Sequence, residues 1–149
     1  MKREPLHPPI YVLGALVAML VLHWHWPLRQ VFGGRFAYAG LALVALGLVM
    51  NLWASNSFQA ARTTIKPFET PKALVTRGIY RYTRNPMYLG MLLILIGLWL
   101  SLGTLSPGLA VPPLVWVIRT RFIGPEEKQL EEVFGEGFRT YCSAVRRWI

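Results

Sequence analysis

The sequence predicts an all-α integral membrane protein: a helical bundle of about four transmembrane segments followed by a C-terminal amphipathic helix. Three observations predict it. Of 149 residues, 54% are hydrophobic and only 15% charged, well away from the balance of soluble domains. The apolar residues fall into long runs, which a bilayer core of about 20 helical residues requires. The charged residues collect between those runs and favour one side. A chain of this length fits a single domain spanning residues 1–149.

The first segment is Ile10 to Trp26. Its charged start at Lys2 and Arg3 resembles that of a signal peptide, but no small-x-small cleavage pattern follows. The run ends in "HWHWP", an interfacial belt, so the segment is read as a retained membrane helix. His23 and His25, two residues apart on a helix, point about 200° apart and do not form a joint metal pair. The second segment is Phe36 to Ala54, and like the first it contains no Lys, Arg, Asp or Glu.

Residues 55–86 form a long polar connection containing "KPFETPK", whose two prolines disfavour a continuous helix. Loops of this length are usually functional or disordered, and the aromatic content argues for function. The third segment, Met87 to Leu102, and a shorter fourth, Leu105 to Ile118, are linked by the turn-prone "SLGTLSPG". Pro112 and Pro113 are expected to break or kink the fourth segment, a feature tolerated in membranes where a helix lines a cavity or packs on protein. In the tail, residues 119–149, Pro125 and the acids after it mark a helix start. Leu130, Phe134, Phe138 and Tyr141 then recur at helical spacing, predicting an amphipathic helix that Gly135 and Gly137 weaken midway.

The charges fix the expected topology. Lys2 and Arg3, then Arg62, Lys66, Lys72, Arg77, Arg81 and Arg84, then Arg119, Arg121, Lys128, Arg139, Arg146 and Arg147 fall on one side with both termini. Only Arg29 and Arg35 fall on the other. The positive-inside rule makes the crowded side cytosolic. A net charge of +9 does not indicate nucleic acid here, because the cations alternate with uncharged apolar runs; anionic lipid headgroups account for it. Cys142 is the single cysteine, which excludes an intrachain disulfide and a thiolate metal cluster. The sequence has no HExxH, nucleophile elbow, GxGxxG or Walker loop.

Two stretches carry chemistry. In "GIYRYTRNPMYLG", Gly78 to Gly90, three tyrosines, two arginines and a proline stand directly before the run "MLLILIGLWL". An interfacial anchor explains the tyrosines and arginines singly. It does not explain Gly78 paired with Tyr80, or Asn85-Pro86 just ahead of Tyr88, which together shape a turn. The second stretch is "RTRFIGPEE", Arg119 to Glu127.

In this order, the first motif, an apolar hairpin and then "EEKQLEEVFGEGFRTYCSAVRRW" resemble the isoprenylcysteine carboxyl methyltransferase family and the related phospholipid N-methyltransferases. The resemblance covers about Lys72 to Trp148. It implies S-adenosylmethionine held at the cytosolic helix ends, with Lys72, Ala73, Leu74 and Val75 supplying backbone and wall contacts. Tyr80, Asn85, Pro86, Met87 and Tyr88 would line the cofactor pocket and Glu126 would close it. Arg121, or alternatively Arg119, would hold the acceptor's carboxylate. Asn85 stands where the family has His; it hydrogen-bonds but carries no positive charge. The Pro that often follows the family's final Val-x-Arg is also absent.

The implied function is S-adenosylmethionine-dependent methylation, with carboxyl O-methylation favoured by Arg121 and phospholipid or amine N-methylation as the alternative. The acceptor is expected to be small and lipophilic, reached through membrane lipids. An NADPH-dependent membrane reductase and a non-catalytic membrane subunit are the further alternatives. The expected site is a cytoplasmic membrane of a bacterium or archaeon.

Overall fold

The computed structural model describes residues 7–63 and 71–149. Lys2, Arg3, Lys66 and most of "KPFETPK" lie outside the described residues. Among those described the chain is helical, with one isolated bridge, between Gln30 and Thr104, in place of any strand. Helix α1 runs Pro8–His25 and α2 runs Arg35–Ala60. A 3-10 turn, Gly78–Arg81, leads into α3, Pro86–Leu102. A second 3-10 turn, Ser106–Ala110, leads into α4, Val111–Val117, which continues through a π turn, Ile118–Ile123, into α5, Gly124–Phe134. Helix α6 is Glu136–Ala144.

Helices α1 and α2 are long and apolar enough to cross a bilayer, and only 11% of each span is buried within the protein. That low burial separates them from the core helices of soluble proteins. Their outward faces carry exposed Leu13, Val17, Leu20 and Val21 on α1, and Leu41, Leu48, Val49 and Leu52 on α2. Side chains of this kind lie comfortably against lipid and not against water. Helix α3 has 17 residues, about 26 Å of rise, and it is the more buried partner in the centre of the bundle.

Glycine sets how α2 meets α3. A Cβ added at Gly40 would sit 2.4 Å from the Gly97 carbonyl oxygen, and one added at Gly47 would sit 2.5 Å from that of Gly90. The two pairs are seven residues apart on each helix and run in opposite directions, so the helices pack antiparallel with their backbones in near contact. Asn51 lies beside Gly90 and bonds back to the Gly47 carbonyl. The main core forms on the other face of α3. It joins Met19 of α1, Tyr88, Leu92 and Leu95 of α3, and Leu114, Ile118, Phe122 and Ile123 of the α4 to π-turn segment.

The fourth segment is broken as expected, directly before the prolines: the 3-10 turn ends at Ala110, and Pro112 and Pro113 lie in the first turn of α4, where a missing N–H is tolerated. A second irregularity follows in the π turn, whose extra residue re-phases the helix. Both Phe122 and Ile123 turn into the core there, while Arg119 and Arg121 stay exposed. The tail differs from the expectation: one amphipathic helix becomes two, because Gly135 adopts φ +52° and ends α5. A positive φ costs little at glycine and much elsewhere.

Both ends of the bundle are pinned by polar contacts. At the end holding Arg29, His23 Nδ1 lies 2.7 Å from the Thr104 hydroxyl, Trp99 donates to the Thr104 carbonyl and Ser106 donates to that of Leu22. The amides of Val31 and Phe32 both bond to the carbonyl of Gly103, whose φ of +79° ends α3. The opposite end gathers the start of α1, the end of α2, the start of α3 and the start of α5. A cavity opens there.

Candidate functional site

The cavity has a volume of about 370 Å³, within the range of small-molecule sites. Each wall follows from a local structural rule. Pro86 fixes the first turn of α3, which presents Met87, Tyr88 and Met91 inward on one helical face. Gly78, at φ +63°, makes the turn that buries Tyr80. The Tyr80 ring meets Phe58 of α2 edge to face, with centroids 5.4 Å apart. Ala73, Leu74 and Val75, in the stretch before the 3-10 turn, form one wall, and Pro8 and Pro9 at the start of α1 form another. Glu126 and Glu127 enter from the first turn of α5, with Leu130 one turn on, and Phe138 and Tyr141 come from α6.

Of the ten residues expected at a cofactor site, eight line this one cavity: Ala73, Leu74, Val75, Tyr80, Asn85, Met87, Tyr88 and Glu126. Lys72 and Pro86 do not line it. The Lys72 amide is tied to the Thr63 hydroxyl at 3.0 Å and so anchors the start of the wall; Pro86 is buried behind it. Arg121 and Arg119 are exposed on the π turn, outside the lining.

The polar end of the cavity holds two carboxylates in different circumstances. Glu127 is paired: Arg147 grips it through Nε at 3.1 Å and a terminal nitrogen at 2.5 Å, and Arg84 lies 3.3 Å away. Glu126 accepts a 2.7 Å bond from the Tyr88 hydroxyl and meets no cation among the described residues. Burial pushes the Glu126 carboxyl up to about 7; the Tyr88 bond pulls it down and the Glu127 charge raises it further. Burial, and then the nearby Tyr141 and Glu126, push the Tyr80 phenol well above its usual range. Burial likewise holds Tyr141 at about 12 against the pull of Arg84. Both phenols therefore stay neutral, as hydrogen-bonding aromatic walls.

Such a site suits a cationic ligand with an apolar body. A buried carboxylate lacking a cation gains most from one, and aromatic faces attract the same charge. Neutral donors and the Arg84 side chain supply what an attached anion requires.

Sequence reasoning missed several lining residues. Phe58, Met91, Leu130 and Phe138 read as ordinary apolar positions, and nothing in the pattern separates them from core. Arg147 and Glu127, twenty residues apart, show no local pairing signal. The N-terminal prolines carry no signal either, because only the packing of α1 brings them to the site.

A family model described as phospholipid methyltransferase matches residues 36–137. The methanethiol S-methyltransferase of Pseudomonas deceptionensis is 27% identical over 166 residues, covering 95% of this chain and 58% of that protein. The protein-S-isoprenylcysteine O-methyltransferase of Schizosaccharomyces pombe is 34% identical over 72 residues, covering 48% of this chain and 30% of that protein. A probable protein-S-isoprenylcysteine O-methyltransferase of Oryza sativa subsp. indica is 28% identical over 111 residues, 73% of this chain and 58% of that protein. The chain thus spans less than two thirds of the length of these curated relatives. No solved structure matches it.

Proposed function

The chain belongs to the phospholipid methyltransferase family, and from that membership we propose that it is an integral-membrane methyltransferase using S-adenosylmethionine in the cavity at the helix ends. One observation carries the cofactor reading: Glu126, a carboxylate without a cation among the described residues, lies in an aromatic-walled cavity. The cofactor supplies a methyl group on a sulfonium, together with an ammonium and a carboxylate that need opposite partners. Glu126 answers the positive charge, Tyr80 and Tyr88 offer aromatic faces, and Arg84 with Asn85 faces the carboxylate. Ala73, Leu74 and Val75 form an apolar wall that keeps water from the reacting atoms, and Met87 and Met91 line the side toward the membrane helices. In-line displacement asks the protein chiefly for alignment and exclusion of water.

The acceptor is proposed to be small and lipophilic, arriving from the bilayer, with the cavity on the cytosolic side of a bacterial or archaeal cytoplasmic membrane. Carboxyl O-methylation is the first reading, with exposed Arg121 as the acceptor contact outside the cofactor cavity. Thiol S-methylation is the second, favoured because a relative named for methanethiol S-methylation matches 95% of this chain. Amine N-methylation accords with the family description.

The test is incubation of the purified protein with methyl-labelled S-adenosylmethionine in lipid extract, with and without an added alkanethiol. Label in the organic phase that mild base releases as methanol supports an ester. Base-stable label dependent on the thiol supports S-methylation, and base-stable label without it supports N-methylation. Absence of cofactor binding by calorimetry sinks the methyltransferase reading.

A further inference from the structure

The chain's last residues fold back over the motif loop. The Arg147 carbonyl accepts from the Thr83 hydroxyl at 3.2 Å and from the Asn85 side-chain amide at 3.1 Å. The Arg84 amide donates to the Arg146 carbonyl at 3.0 Å, and the Arg84 guanidinium touches Cys142. Just before this arm, the Tyr141 hydroxyl donates to the Tyr80 carbonyl at 2.7 Å. The Arg147 guanidinium meanwhile forks onto Glu127, the neighbour of Glu126. One residue therefore holds both the loop that carries Asn85 and the helix start that carries Glu126, and it lines the cavity with neither its backbone nor its side chain.

We infer that Arg147 is a positioning residue for the cofactor cavity: its carbonyl fixes the Thr83–Asn85 loop and its guanidinium fixes Glu127, and through Glu127 the carboxylate of Glu126. The inference rests on the cavity being the S-adenosylmethionine site. Asn85 then has a second use. Its amide fastens the arm, a geometry that needs a side-chain donor and no positive charge.

The electrostatic consequence separates this role from mere support. Glu126 is faced by Tyr88 from α3, Tyr80 from the 3-10 turn and Glu127 from its own helix. Arg84 and Arg147 stand behind Glu127, and His7 lies on the cavity wall from the start of α1. Among the described residues, removing the Arg147 charge leaves Glu127 balanced by Arg84 alone, so the uncompensated negative charge next to Glu126 grows. Glu126 then holds its proton to higher pH, and a cationic ligand binds well only when Glu126 is ionised.

The test is calorimetric titration of S-adenosylmethionine into the full-length protein in detergent from pH 6 to 9, for wild type, Arg147→Met and Arg147→Lys. In wild type the affinity should rise through about pH 7. In Arg147→Met the midpoint should move up by about half a unit to one unit, so that, on top of the loss at every pH from the missing fork, affinity falls a further several-fold at pH 6.5, a part that vanishes by pH 9. Arg147→Lys keeps the charge and loses the fork, so its midpoint should stay at the wild-type value while affinity weakens at every pH; this variant carries the test if the Met variant does not fold. An Arg147→Met affinity equal to wild type, or reduced by one factor at every pH, overturns the inference, as does an Arg147→Lys protein indistinguishable from wild type. Failure of wild type to bind S-adenosylmethionine at any pH refutes the cofactor reading itself. In that case carbon-13 NMR titration of Glu126 in the same proteins still decides the Arg147 inference, which requires an upward move in Arg147→Met.

Discussion

Replacing Glu126 by Gln should push stability and ligand affinity in opposite directions. The folded protein holds the Glu126 proton more tightly than the unfolded chain does, with the carboxyl raised from 4.5 to about 7, first by burial. For an acid raised in the folded state, folding favours the protonated form, so this group's contribution falls as pH rises from about 4.5 through about 7. Above that window the ionised carboxylate costs the fold about 3 kcal/mol. Glutamine keeps an oxygen for the Tyr88 hydroxyl and has no charge to bury. The variant should therefore be up to about 3 kcal/mol more stable than the parent at pH 8, and the two should converge near pH 4.5. Its affinity for S-adenosylmethionine should drop ten-fold or more at pH 8, because loss of a buried ionic partner costs upwards of about 1.4 kcal/mol. Tryptophan-monitored thermal unfolding in detergent at pH 5 and pH 8, with and without S-adenosylmethionine, reads both effects, since bound ligand adds stability by mass action. A variant less stable than the parent at pH 8 would refute the claim that Glu126 is ionised at a cost, and undiminished ligand stabilisation would refute its role as the cation's partner.

Gly47→Leu should force α2 away from α3, because its Cβ would stand 2.5 Å from the Gly90 carbonyl oxygen. A loss of about 1–3 kcal/mol is expected, seen as a lower unfolding temperature and faster proteolysis between the helices; a neutral result would mean that α2 is not held by close backbone packing. Tyr141→Phe removes the 2.7 Å bond to the Tyr80 carbonyl and should cost about 1–3 kcal/mol by stranding a buried acceptor, with weaker S-adenosylmethionine binding by calorimetry. Binding and stability unchanged from wild type would show that α6 does not hold the Tyr80 turn.

Legibility in the sequence followed the range of the interaction. Motifs that act within a few residues were readable: Gly78 and Asn85-Pro86 do shape a turn before α3, and the first turn of α5 does carry Glu126 toward Tyr88. The apolar runs located α1 and α2, but α2 runs on to Ala60, six residues past the expected end at Ala54, because hydropathy marks where a span leaves the apolar run and not where its helix stops. The prolines of α4 marked the break in the fourth segment, which falls between the 3-10 turn and the first turn of α4 that holds them. The single tail helix failed. Gly135 lowers helix propensity in any setting, but the turn to φ +52° depends on where α6 must pack.

The sequence by itself determined that the chain is helical, that two of its helices are long and apolar enough for a bilayer, and which short motifs shape the turn before α3 and the start of α5, because propensity, hydropathy and turn chemistry act locally. Tertiary structure alone decided which carboxylate stands without a cation among the described residues. Glu126 and Glu127 are adjacent acids in one helical turn, and their sequence context barely separates them. Arg147 and Arg84, brought in from twenty and forty-three residues away along the chain, neutralise one and leave the other facing Tyr88, since pairing in a folded protein is set by distance in space.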